Sequence, residues 1–344
     1  MAQTSIRSLA HQLGLSAATV SLALRDSPRV VPETKRRVQQ AAGVAGYQPN
    51  PLVRSVMAAV RRSSHDSFQG ALIAVNHTDD DKPVLNAYHR EVFVGAERRA
   101  RELGYSMELC WVGPRQLSFA RLNAILQARS VQGVVVLPFA DRRDFSALNW
   151  APLASVVMDY CLSAPALHTV LPDHHLSLFR GLERLVAAGY ARPGLVLTGD
   201  RDERLMHRWS AAFGSFCRSQ PMTREVPVLL RPAVTREEFL GWFQLHRPDV
   251  VIGHIQERIA RWLGEAGVGI PRDVGFLQLN WTERTAPCAA LDLQPAFLGA
   301  AAVESVVAQL QRNEHGVPIN PKTIALAARW VDGPTLRATV LAGR

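Results

Sequence analysis

Apolar positions near the N-terminus recur at helical spacing. Ile6, Leu9, Ala10 and Leu13 form one face of a first helix, which Ser5 can cap. Gly14 allows a sharp turn, Leu15 fills the corner, and Ser16 can cap a second helix from Ala17 to about Leu24. In that helix Val20 and Leu24 point inward, which leaves Ala17, Ala18, Ser21, Leu22 and Arg25 for the outside. Asp26-Ser27-Pro28 interrupts the pattern. Pro32 suits the first turn of a third helix reaching about Ala45, with Val38, Ala41 and Ala42 inward. Asn50-Pro51 is a second cap-plus-first-turn pair. After it Val53, Val56, Met57 and Val60 make a narrow apolar stripe flanked by Arg54, Arg61 and Arg62, and residues 63–67 read as a joint.

From residue 70 the rhythm changes. Strand-like apolar runs fall at 71–75, 107–112, 134–137, 154–158, 194–197, 226–230, 250–252 and 274–279. Helical segments at 88–103, 117–129, 176–188, 204–218, 236–245, 255–266 and 295–312 lie between or after them. Such alternation predicts an α/β body of parallel sheets with helices on both faces, and the strand number favours two similar lobes over one sheet. The chain therefore divides into an all-α helix-turn-helix head at 1–49, a connecting helix and linker at 50–69, and a body at 70–344. Within the body, lobe one is expected at about 70–171 and 295–321, and lobe two at about 172–294 and 322–344.

Charge sharpens the picture of the head. Residues 1–62 carry nine basic and two acidic side chains, so +7 of the net +9 lies there and the body is nearly neutral. A basic module on a neutral body fits a head that binds phosphates, and its slim second helix can enter the major groove. The alternative is a plain three-helix cap on the body. The four cysteines are far apart and form no CxxC pair, which fits a reducing cytoplasm and neither disulfides nor structural zinc. No apolar run reaches membrane-spanning length, and the N-terminus lacks a signal-peptide core.

The run from Ile6 through Leu-Ala-His-Gln-Leu-Gly-Leu-Ser-Ala-Ala-Thr-Val-Ser to Leu24 resembles the head of the lactose-repressor (LacI/GalR) family. The continuation through Thr34-Lys-Arg-Arg-Val and Gly46-Tyr47-Gln-Pro-Asn50 keeps that order and spacing. The resemblance implies that Ala17, Ala18 and Leu22 face base edges, with Arg25 as the best hydrogen-bonding reader. It implies that Ser16, Thr19, Ser21, Thr34 and Asn50 hold phosphates, with Ser5 beside them and Arg54 in the hinge. Leu22 stands where many members have Arg, and Val31 where a capping Ser is common. In the family, two hinge helices of a dimer meet in the minor groove and wedge a base step. That role maps to Val56, with Met57 as its neighbour, and a linker helix packed on the body is the alternative.

For the body the resemblance implies a two-lobed architecture like that of periplasmic sugar-binding proteins. Ligands of such sheets sit beyond the carboxyl ends of strands. Asp159 follows one strand, Arg208 opens the segment where the family reads Arg-x-x-Gly-aromatic, and Asn280 follows another strand where the family has Asp. Trp281 or Tyr160 can stack on a sugar face, and His77 and Thr78 follow the first strand. Near His254 the family's Asn-Asp pair is missing. His174-His175 beside Asp173 reads as a loop or helix start, not a metal site. No Walker loop, GxGxxG, HExxH or GxSxG motif is present. The expectation is a cytoplasmic, homodimeric DNA-binding repressor, neither an enzyme nor the holder of a cofactor, controlled by a small molecule, a sugar. A sugar-binding protein without a DNA role is the alternative.

Overall fold

Alternate residues of one strand feed two different cores. In β1 (Gly70–His77), Leu72 and Ala74 join one apolar cluster while Ile73 and Val75 join another. This period of two, with both faces apolar, is what a parallel strand covered by helices on each side requires. The computed structural model describes residues 6–24, 30–45, 69–220, 226–282 and 287–337.

The head comprises α1 (Ile6–Leu13), α2 (Ala17–Leu24) and α3 (Pro32–Val44), closed around the fully buried Leu9, Val20, Ala23 and Val38. Gly14 takes φ 67° and the Leu15 amide donates to the Ala10 carbonyl at 3.0 Å, which makes the tight corner.

The first lobe runs through α4 (Ala87–Glu102), β2 (Tyr105–Val112), α5 (Phe119–Ala128), β3 (Gly133–Val136), β4 (Arg143–Asp144), β5 (Ala154–Met158), β6 (Leu162–Ala164) and β7 (His168–Pro172). The second holds α6 (His174–Ala187), β8 (Pro193–Thr198), α7 (Gly199–Arg204), α8 (Arg208–Ser219), β9 (Leu229–Arg231), α9 (Arg236–His246), β10 (Val250–Gly253), α10 (Gln256–Glu265), β11 (Gly275–Gln278) and β12 (Ala289–Asp292). Helix α11 (Pro295–Arg312) and strand β13 (Thr323–Leu326) belong to the first lobe, and β14 (Arg329–Val331) to the second.

Two six-stranded sheets result, ordered β13-β7-β5-β3-β1-β2 and β14-β12-β11-β10-β8-β9. All pairings in the two sheets are parallel except β12 with β14. The first sheet is sandwiched between α4 plus α11 on one face and α5 on the other. The second lies between α6 plus α8 and α9 plus α10.

Two sequence expectations are corrected. The sequence predicts the return to lobe two at 322, but 323–326 pair with Thr169–Pro172 of β7, so the crossing falls between β13 and β14. The free edge of β7 takes the strand before the chain leaves. The segment 204–218 was expected as one helix, but it breaks at 205–207 into α7 and α8, with Met206 and His207 both at φ 56°. The buried carboxylate of Asp202 accounts for the break. It accepts from the Ser210 hydroxyl at 2.6 Å and lies 3.1 Å from His207 Nδ1, which fixes a turn where continuous helix would run.

The lobes touch through specific groups. Tyr88, at the start of α4, packs against cores of both lobes.

Candidate functional site: the head and the inter-lobe cleft

In the head, Ser16 is exposed, and its Oγ accepts from the Thr19 amide at 3.0 Å and lies 2.8 Å from Thr19 Oγ1. It therefore caps α2, and the phosphate role assigned to it falls on a helix terminus. Leu22, expected outside, is half-buried against the head's core, since the eight-residue α2 is apolar on most of its circumference. Thr34 lies half-buried in the first turn of α3, whose N-cap Val31 makes no side-chain hydrogen bond. Ala17, Ala18 and Ser21 lie on α2, but their side chains are outside the described residues. Ser5, Arg25, Asn50, Arg54, Val56 and Met57, and the hinge as far as residue 68, are also outside them.

The cleft is built from strand ends. Asp159 directly follows β5 and stands at φ 60°, a left-handed conformation that Asp tolerates better than most residues. Its Oδ2 accepts from Arg204 Nη1 at 2.7 Å. Asp159 comes from the first lobe and Arg204 from α7 of the second, so the ion pair spans the cleft. Arg208, first residue of α8, sets its guanidinium carbon 5.3 Å from the ring centre of Tyr160, again across the lobes. His174 opens α6 and meets the ring of Trp209 edge-on at 4.8 Å, and Trp209 lies 6.1 Å from His254, just past β10.

Around this group many polar atoms are shielded from solvent and have no hydrogen-bond partner in the described chain. They are Asp159 Oδ1, His174 Nδ1, Thr198 Oγ1, Trp209 Nε1, His254 Nε2, Gln256 Oε1, Gln278 Oε1 and Asn280 Oδ1. Each costs about 1–3 kcal/mol when left unpaired, and native interiors tolerate few of them. Their concentration at the carboxyl ends of β5, β8, β10 and β11 is the mark of a site that pairs them with something else. Gln278 Nε2 is already tied to the His254 and Asn280 carbonyls at 3.2 Å, which aims its oxygen away from them.

The imidazoles here are neutral. Burial, with Arg204 and Arg208 nearby, holds His174 down to about 4. Burial, with Arg201, His174 and Arg204, holds His254 down to about 3. Burial and Arg204 bring His89 to about 4. Burial and the Asp159 carboxylate raise the phenol of Tyr88. A neutral imidazole offers one donor and one acceptor nitrogen, which suits a hydroxyl partner.

The structure thus brings Asp159 and Arg208 close through Tyr160, while Asn280 follows β11 with its carbonyl accepting from Gln278. Trp281 follows Asn280, half-buried, with its amide donating to the Leu291 carbonyl at 2.9 Å. His77 and Thr78 make contacts within their own loop. His77 packs 5.7 Å from Phe139 and 3.9 Å from Asp79, and Thr78 Oγ1 accepts from the Asp80 amide at 3.1 Å. Sequence reasoning missed Arg204, Trp209, His254, Thr198 and Gln278. The last three end or follow strands, so the carboxyl-end rule applied to every strand would have found them. His174 does begin a helix, and it also lines the cleft.

Residues 5–50 match the family described as bacterial regulatory proteins, lacI family, and residues 182–335 match the periplasmic binding protein-like domain. Over 324 residues, 90% of each chain, the protein is 24% identical to the HTH-type transcriptional regulator PtxS of Pseudomonas putida. In fold it is similar to the transcriptional regulator CelR in its cellobiose complex, with a TM-score of 0.61 and 16% identity over 96% of this chain and 99% of that one. It is also similar to the Lac repressor dimer bound to operator and the anti-inducer ONPF, with a TM-score of 0.55 and 15% identity over 97% of this chain and 99% of that one. A helix-turn-helix head joined to a two-lobed, periplasmic-binding-protein-like body defines the class. Within it, the head matches the LacI family, and the relative that spans 90% of the chain is an HTH-type transcriptional regulator. The chain is a DNA-binding transcriptional regulator, as its sequence relatives are, and not an enzyme.

Proposed function

We propose that this regulator is a cytoplasmic, homodimeric repressor whose grip on operator DNA is set by a sugar bound between its lobes. The observation that carries the sugar reading is the set of buried, partnerless polar atoms from both lobes around Asp159, Trp209 and His254. They mix donors and acceptors, are neutral apart from Asp159, and lie beside the indole of Trp209 and the phenol of Tyr160. Hydroxyl groups satisfy such a mixture, and sugar faces stack on such rings. CelR, similar in fold, is itself seen in complex with cellobiose.

In this reading two heads face a roughly palindromic duplex, with Ala17, Ala18, Leu22 and Arg25 of each toward base edges in the major groove and Ser5, Ser16, Thr19 and Ser21 toward phosphates. Thr34, Asn50 and Arg54 add backbone contacts, and Val56 or Met57 wedges the minor groove. Sugar binding changes the angle between lobes, and only one angle lets both hinges pack together on DNA. In the cleft Asp159, Arg208, Asn280 and Trp281 contact the sugar, with His77 and Thr78 at its outer margin.

The test is a thermal-unfolding screen of the full chain against neutral sugars and sugar phosphates, with each hit then titrated into an operator-binding assay. A hit that raises the transition temperature and changes operator affinity is expected. A panel in which no sugar shifts either quantity contradicts the reading.

A further inference from the structure

We infer that Asp159 and Arg204 form a latch that holds the two lobes together by the chain's own charges, so that closure of the cleft is built into the fold and not conferred by the effector alone. The pair joins β5 of one lobe to α7 of the other at 2.7 Å, with the two side chains 10% and 23% exposed. Tyr88, which packs against both lobes, lies in the field of both charges, and so do the imidazoles of His89 and His174. None of these neighbours carries a charge that could replace Arg204 opposite the carboxylate. A second contact runs parallel to the first, where Arg208 of α8 lies over Tyr160, the residue after Asp159.

Both halves of the latch are held in place from behind. Asp159 is fixed in its left-handed turn by its amide, which donates to the Val170 carbonyl at 2.9 Å. Arg204 ends α7, and the turn that follows is tied down by the fully buried Asp202 through Ser210 and His207. The latch is therefore met by two rigid elements, which limits the side-chain entropy lost in making it. Its weak point is the carboxylate. Among the described residues Oδ1 has no hydrogen-bond partner, and Arg204 is the group ion-paired with Oδ2. Without the guanidinium a buried carboxylate is stranded, and opening the cleft to water is the direct way to solvate it. Oδ1 also remains available to a ligand donor, so latch and effector share one carboxylate.

The inference rests on the effector reading only for its consequence, since the test needs no ligand. Hydrogen–deuterium exchange is measured by mass spectrometry on the full chain with no sugar added, for wild type, Arg204→Met, Asp159→Asn and the double variant. Arg204→Met is expected to speed exchange at least about ten-fold at 159–163 and at 254–256, both away from its own helix. The double variant, having no stranded charge, should exchange more slowly at those segments than Arg204→Met does. Faster exchange confined to 199–208, or effects of the two substitutions that simply add, overturns the latch. Should Arg204→Met fail to fold, Asp159→Asn alone serves. It should loosen 200–208 on the opposite lobe, and an unchanged pattern there overturns the inference. Failure of every sugar in the thermal screen leaves this result untouched, so the two claims fail separately.

Discussion

Asp159 was visible in the sequence because it directly follows an unambiguous apolar run, Ala154–Met158, and strand ends place polar residues at ligand sites. Arg204 was not, because no glycine or proline falls between residues 200 and 213 to mark the break after it. The break depends on Asp202 capturing Ser210 and His207, a contact that spacing does not reveal. Replacing Arg208 with Ala should abolish the sugar response and leave operator affinity within about two-fold, a difference of roughly 0.4 kcal/mol. An unchanged sugar response in the operator assay would remove Arg208 from the site. The buried histidines give a second test. His174 has a folded value of about 4 against 6.5 when free, so above about pH 7 neither state holds the proton. Between those values the unfolded chain binds a proton that the folded one refuses. Stability should thus fall as pH drops, by about 1.4 kcal/mol per pH unit for that histidine. In urea unfolding at about pH 7.5 and about pH 5.5, His174→Gln should show a shallower loss than wild type. Equal slopes would refute the assignment.

Among elements, those with an unbroken apolar run or a clear helical period were legible and those without were not. Helix α11 was read at its observed bounds, Pro295–Arg312, because proline opens it and its apolar spacing runs through four turns. Strands β7 and β12 were missed, since β7 opens on the polar pair His168-Thr169 and β12 ends at Asp292, which shortens the apolar run in each. Packing details were also out of reach. Where α4 crosses α11, a Cβ on Gly95 would strike the Ala296 backbone, and one on Gly299 would strike the Val92 carbonyl. The two helices therefore approach backbone to backbone, and the glycines are packing residues and not helix defects. Gly299→Ala should cost about 1–3 kcal/mol through overpacking, despite the better helix propensity of alanine. Denaturant unfolding measures it, and a stabilised variant would show that the crossing is looser than described. In the head, Leu9→Ala should cost about 2–5 kcal/mol, because Leu9 is fully buried among Val20, Ala23 and Val38. The same variant should weaken DNA binding without moving any sugar-induced thermal shift of the body.

At the scale of the molecule, the chain passes between lobes three times: before α6, before α11 and between β13 and β14. The first two crossings follow from the alternation of strands and helices. The third depends on which edge takes a four-residue strand, and hydrophobic pattern does not decide that. The charge map was legible throughout, with the excess concentrated in residues 1–62 and the body nearly neutral. The central claim joins that basic head to the cleft: one protein binds duplex DNA by its head and changes that affinity when a sugar enters its body. The most direct measurement is fluorescence anisotropy of a duplex selected by the full chain, titrated across salt with and without a sugar found in the thermal screen. The account predicts a slope of log affinity against log salt near −5, for about six phosphates neutralised per dimer, and a sugar-dependent shift of the whole curve. A binding curve indifferent to salt and sequence, or one the sugar leaves in place, would contradict it.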